Sequence, residues 1–156
     1  MISNSTPLIC LAKLNQLELL KKLFNRIIIP NSVKEEVVIA GKPGYAIISK
    51  AIEEGWIKVE NPRENLELGL GKGENAAINL AKEKKDKIII DDAFAIKAVK
   101  SLNIEYLRTT SIILLSLKKD IINKKQAKDN IQKLVEDGYY ISPRIFSELL
   151  RAIDSM

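Results

Sequence analysis

Short apolar runs alternate along this chain with longer stretches whose leucines, isoleucines and valines recur at helical spacing, the pattern of an α/β domain with a mainly parallel sheet. Four strands are predicted: Met1–Ser3, Ile27–Ile29, Lys87–Ile90 and Ile104–Leu107. Between the first two, the leucines of ICLAKLNQLELLKKL predict one helix over Pro7–Leu23. Pro30 ends the second strand and leaves Asn31 or Ser32 placed to cap the helix VKEEVVIA, as Thr109 or Thr110 is for SIILLSLKK. Pro62 and mixed charge without a clear period mark Asn61–Leu70 as the long connection. After Asp120 the chain reads as two helices, Lys124–Glu136 and Pro143–Ile153, the first stopped by Gly138 and the second capped by Ser142. Residues 124–153 are therefore expected to form a C-terminal helical hairpin.

Composition sharpens the picture by exclusion. At 156 residues with 46% apolar side chains, residues 1–156 are expected to fold as a single domain with a real core. No stretch approaches the roughly 20 uninterrupted apolar residues that span a bilayer, and MISNSTPLICLAKL has no basic start before its short apolar run. A soluble cytoplasmic protein is the expectation. The chain has no histidine and one cysteine, Cys10, so Ser-His-Asp and Cys-His nucleophiles, HExxH zinc sites and internal disulfides are excluded. What remains is oxygen chemistry, and a hard cation such as Mg²⁺ or Mn²⁺ held by carboxylates needs nothing this sequence lacks. A net charge of +5 favours a polyanionic partner.

In parallel α/β sheets the functional crevice lies beyond the carboxyl ends of the strands. Here those ends carry Asn4-Ser5-Thr6, the pair Asp91-Asp92, and Thr109-Thr110. On a helical wheel with Val33 at 0°, Val37 and Ala40 fall within about 40°, Glu36 lies roughly 60° away and Glu35 about 200° away. Glu36 is thus the better site candidate, and Glu35 a solvated carboxylate. GLGKGENAAINLA is not a phosphate loop, because Gly73 stands where Ser or Thr must follow the lysine. It reads as a helix start, with Glu74 in the first turn and near the apolar arc of Ala77, Ile78 and Ala81. Asp91 and Asp92 repel each other unless a cation or hydrogen-bond donors compensate, and one of them is also placed to cap AFAIKAVKSL.

Taken in order, SNSTPLICLAKL, IIIPNSVKEEV, GKGENAAINLA, IIIDDAFAIKAVKSLNI, TTSIILLSLKK and the terminal GYYISPRIFSELL resemble the PIN-domain family, specifically its VapC-like branch of archaea and bacteria. The resemblance implies a three-layer α/β/α fold and a divalent-metal-dependent ribonuclease, in many relatives a toxin restrained by a cognate antitoxin and in many a homodimer. Its metal ligands fall on Asn4, Glu36, Glu74, Asp91 and Asp92, and its conserved hydroxyl on Thr110, with Thr6 near the first ligand. Lys72 and Lys97 are placed near the rim, where they could neutralise an RNA backbone, while Tyr139 and Tyr140, between two helices, read as packing or interface residues. Two departures stand out. Asn4 is an amide where most PIN nucleases have aspartate, so it offers a carbonyl oxygen but no charge. Ile96 stands where this branch often has arginine. A catalytically weakened relative that binds RNA or a partner protein is the alternative these departures imply; a phosphoacceptor receiver domain is disfavoured, since its acidic pair follows an early strand.

Overall fold

A computed structural model describes residues 1–156, which divide into two compact units, Met1–Thr109 and Thr110–Met156. The first unit is built on five parallel strands: β1 (Ile2–Ser3), β2 (Ile27–Ile29), β3 (Ile57–Val59), β4 (Ile88–Ile89) and β5 (Tyr106–Leu107), in the order β3-β2-β1-β4-β5. Ile2 pairs with both Ile28 and Ile88, Ile27 with Ile57, and Ile88 with Tyr106. Parallel strands are covered on both faces, and this is why the central ones read as continuous isoleucine runs: Ile2, Ile27, Ile29, Ile88 and Ile89 are essentially solvent-free.

Six helices complete this unit: α1 (Ser5–Lys13), α2 (Glu18–Phe24), α3 (Asn31–Val37), α4 (Tyr45–Glu54), α5 (Lys72–Lys84) and α6 (Ala93–Ser101). The single helix expected over Pro7–Leu23 is two helices, because Asn15 adopts φ 57° and the left-handed residue turns the chain between them. The strand β3 and helix α4 were not legible, since GWIKVE mixes charge into an edge strand whose Lys58 and Val59 face solvent. Neither Asn31 nor Ser32 caps α3; Pro30 occupies that position with no side-chain cap. Asp92, in contrast, is the N-cap of α6, accepting from the Ala95 N–H at 2.8 Å.

In the second unit α7 (Thr109–Lys118, beginning on the last residue of the first unit) is followed by α8 (Lys124–Glu136) and α9 (Pro143–Asp154), and the last two pack on each other as the expected hairpin. Asn123 and Gln126 close a reciprocal capping box on α8, and Ser142 with Pro143 starts α9. No helix of the protein is long and apolar enough to cross a membrane.

Candidate active site

The strand order reverses at β1 and β4, where the chain has built outward first to β3 and then to β5, and such a switch point opens a crevice at the carboxyl ends of the two strands. Asn4 leaves β1 there. Its N–H still joins the sheet, on the Ile89 carbonyl at 3.0 Å, so it lies beside the segment leading to Asp91 and Asp92. Asn4 is also the N-cap of α1, yet its side chain caps nothing: at 4% exposure its Oδ1 is buried without a hydrogen-bond partner. Buried carboxamide oxygens are almost always satisfied, so this one points to a ligand not supplied by the fold.

The next residue brings in α3. The Ser5 hydroxyl donates to Glu36 Oε2 at 2.7 Å and turns this glutamate toward the end of β1. Glu35, also exposed, instead accepts from the Asn31 side chain at 3.0 Å on the outer side of the helix. On its other side Glu36 lies against Gly73 of α5, so closely that a Cβ there would overlap Glu36 Oε1. Glycine at this position is therefore a clearance for a carboxylate, with no positive φ involved.

Glu74 follows in the first turn of α5. Partial burial, and next the negative charge of Asp92, raise its carboxyl above the ordinary value; the Gly71 N–H bonded to it pulls the other way, and Glu36 adds a further upward push. Glu36, Glu74 and Asp92 thus share one electrostatic neighbourhood, reached from three different helices. No three carboxylates are drawn together into a ready-made ligand cluster. The donor set nonetheless fits a hard divalent cation: the Glu74 carboxyl, whose proton affinity burial and the charges of Asp92 and Glu36 raise, and the buried, unpartnered carbonyl oxygen of Asn4, one residue before the Ser5 that holds Glu36.

Asp91 has a different environment. Both its oxygens are held by Thr109, Oδ1 by the N–H at 2.9 Å and Oδ2 by the hydroxyl at 2.7 Å, so the side chain ties the end of β4 to the end of β5. Thr109 gives this carboxylate its hydroxyl; Thr110, on which the resemblance places the family's conserved hydroxyl, is the next residue and the first of the second unit. Thr6 is exposed in the first turn of α1. Ile96, in the arginine position, belongs to the buried face of α6 with Ala95 and Val99. Sequence reasoning read Gly73 as permitting a tight approach but not that Glu36 is what approaches, and it missed Ser5 as the partner of Glu36 and Thr109 as the partner of Asp91, because each acts through a residue distant in the chain.

With this geometry in place the chain can be assigned: it belongs to the PIN-domain family, residues 1–155 matching the family model described as "DUF3368: PIN domain". PIN domains are generally metal-dependent nucleases. Among solved structures it is similar to a PilT N-terminus domain protein from the hyperthermophilic archaeon Sulfolobus solfataricus P2, with 21% identity and a TM-score of 0.56 over 75% of this chain and 94% of that one. At that identity the likeness speaks for the fold. No curated protein matches the chain.

Proposed function

We propose that this protein is a divalent-metal-dependent endoribonuclease of the VapC-like branch, acting as the toxin of a toxin–antitoxin pair. The observation that carries the reading is the Asn4 oxygen, buried and unpartnered, on a residue whose backbone pairs with the strand leading to Asp92 and which precedes the Ser5 that holds Glu36. These residues would hold Mg²⁺ or Mn²⁺, which when bound offsets phosphate charge and acidifies a water for attack on the phosphodiester. Ser5 orients Glu36 toward that centre, and Gly73 leaves room for it. Asp92 keeps one oxygen on the Ala95 N–H, which holds the carboxylate at the mouth of α6. Asp91, gripped by Thr109, serves chiefly to align β4 with β5. The antitoxin and a second copy of the chain are the proposed protein partners; exposed Val135, Tyr140 and Ile145 in the hairpin unit support such a contact.

The amide at Asn4 favours a second reading, a weakened enzyme that binds RNA with little turnover, since the site lacks one of the charges that attract the cation. Asn4→Asp tests both. Calorimetry should show Mn²⁺ binding about tenfold tighter, ~1.4 kcal/mol, in the variant, with faster cleavage of a single-stranded RNA. If neither protein binds Mn²⁺ or cuts RNA, the metal-centre reading is wrong; RNA binding without cleavage in both would favour the inactive relative.

A further inference from the structure

We infer that the outer face of α6 is a track for single-stranded RNA, on which Phe94 stacks a base beside the carboxylates while Lys97 and Lys100 meet backbone phosphates; the inference rests on the ribonuclease reading and extends it. Helix α6 spends its inner side on Ala95, Ile96 and Val99, all buried. Its outer side carries Phe94, at 73% exposure the most solvent-accessible large apolar side chain of the first unit. Phe94 stands two residues beyond Asp92, in the turn that Asp92 caps, so the backbone that carries the ring starts at the candidate site.

The cations on this face are equally unusual in their partners. The Lys97 ammonium lies over the Phe94 ring at 5.4 Å, and that of Lys100 over the Tyr106 ring at 5.9 Å. Neither lysine forms an ion pair with a carboxylate, whereas Lys84, Lys87 and Lys128 all do. Ring, ammonium, ammonium and ring therefore run from Asp92 along α6 to the edge strand β5. Such alternation is what a single strand needs: a sequence-tolerant platform for bases and unneutralised positive charge for the backbone. A solvent-exposed cation–π pair is weak, so each lysine can leave its ring for a phosphate while the ring takes a base. A purely apolar protein partner would match Phe94 but would strand two unpaired lysines.

The test uses the full-length protein and a fluorescently labelled single-stranded RNA oligonucleotide, with binding followed by anisotropy and cleavage by steady-state kinetics in Mn²⁺. Phe94→Ala should raise Kd and KM about tenfold with kcat within about twofold; Phe94→Trp should restore both. Lys97→Ala with Lys100→Ala should weaken binding and flatten its salt dependence. Calorimetric Mn²⁺ affinity should stay unchanged in every variant. A Phe94→Ala protein with wild-type Kd and KM overturns the track and leaves the face to a protein partner, while the ribonuclease reading survives if cleavage persists. Wild-type protein that neither binds nor cleaves the RNA overturns both.

Discussion

Gly73 shows how a side chain can be needed for its absence. A Cβ at this position would meet the Glu36 carboxylate and come within 3.4 Å of Val33 Cγ2, and the flexible glutamate is the group that yields. Gly73→Ala should therefore weaken Mn²⁺ binding about tenfold or more by breaking the Ser5–Glu36 contact. Helix propensity at the same time favours alanine by up to ~1 kcal/mol, so Tm should hold or rise; calorimetry and thermal denaturation together separate the two effects. Glu74 gives the pH prediction. Its folded-state carboxyl titrates above the unfolded value, so the folded protein holds the extra proton, and stability falls as pH rises from the ordinary carboxylate value through the raised one. Glu74→Gln, which keeps an oxygen for the Gly71 N–H, should raise the Tm of metal-free protein at pH 7 by about 1–3 °C and give no gain at pH 3. Equal shifts at both values would show that burial and neighbouring charge are not what Glu74 opposes. The aspartate pair also divides by neighbour. Asp92→Asn keeps a competent N-cap and should lose metal affinity with little change in stability, whereas Asp91→Asn disturbs the Thr109 clasp and should lower Tm.

Between β3 and α5 the chain crosses residues 60–71 without regular structure, and two asparagines of α5 hold this crossing down. Asn75 Oδ1 accepts from the Leu68 N–H at 2.7 Å and Asn79 Oδ1 from the Leu66 N–H at 3.2 Å, while both amides donate to the Leu66 carbonyl and to Asn65 Oδ1. Both asparagines are buried, so their removal leaves loop groups unsatisfied. Asn79→Ala should cost about 1–3 kcal/mol, read as a lower urea midpoint with an unchanged m-value. The helix pattern alone showed none of this, because an asparagine within an apolar period looks the same whether it pins a loop or faces water. Elements bounded by local chemistry were legible: Lys124–Glu136 starts on its own capping box, and Asp92 caps α6. The break after Lys13 was not, since ICLAKLNQLELLKKL keeps leucine periodicity across a left-handed Asn15.

The net charge of +5 belongs to the chain as a whole, and it bears on RNA before any base is read. With two or three phosphates engaged, RNA affinity should drop about tenfold between 50 and 200 mM salt; anisotropy titrations insensitive to salt would argue against a polyanionic partner. Much else was determined by the sequence alone. Isoleucine runs separated by helical periods dictate a parallel α/β sheet, because only strands covered on both faces bury so much β-branched surface, and the absence of histidine leaves carboxylates and carbonyls as the available chemistry. Folding decided which of those oxygens meet. Asn4, Glu36, Glu74 and Asp92 stand far apart in the chain, and it is the strand order β3-β2-β1-β4-β5 that sets β1 beside β4 and gives their carboxyl ends a common crevice. Periodicity reports which face of an element is buried, but not what lies against it. That the Asn4 oxygen is orphaned, that Ser5 rather than solvent holds Glu36, and that Gly73 clears a path for that carboxylate are relations between elements, settled by packing across distances that no local pattern encodes.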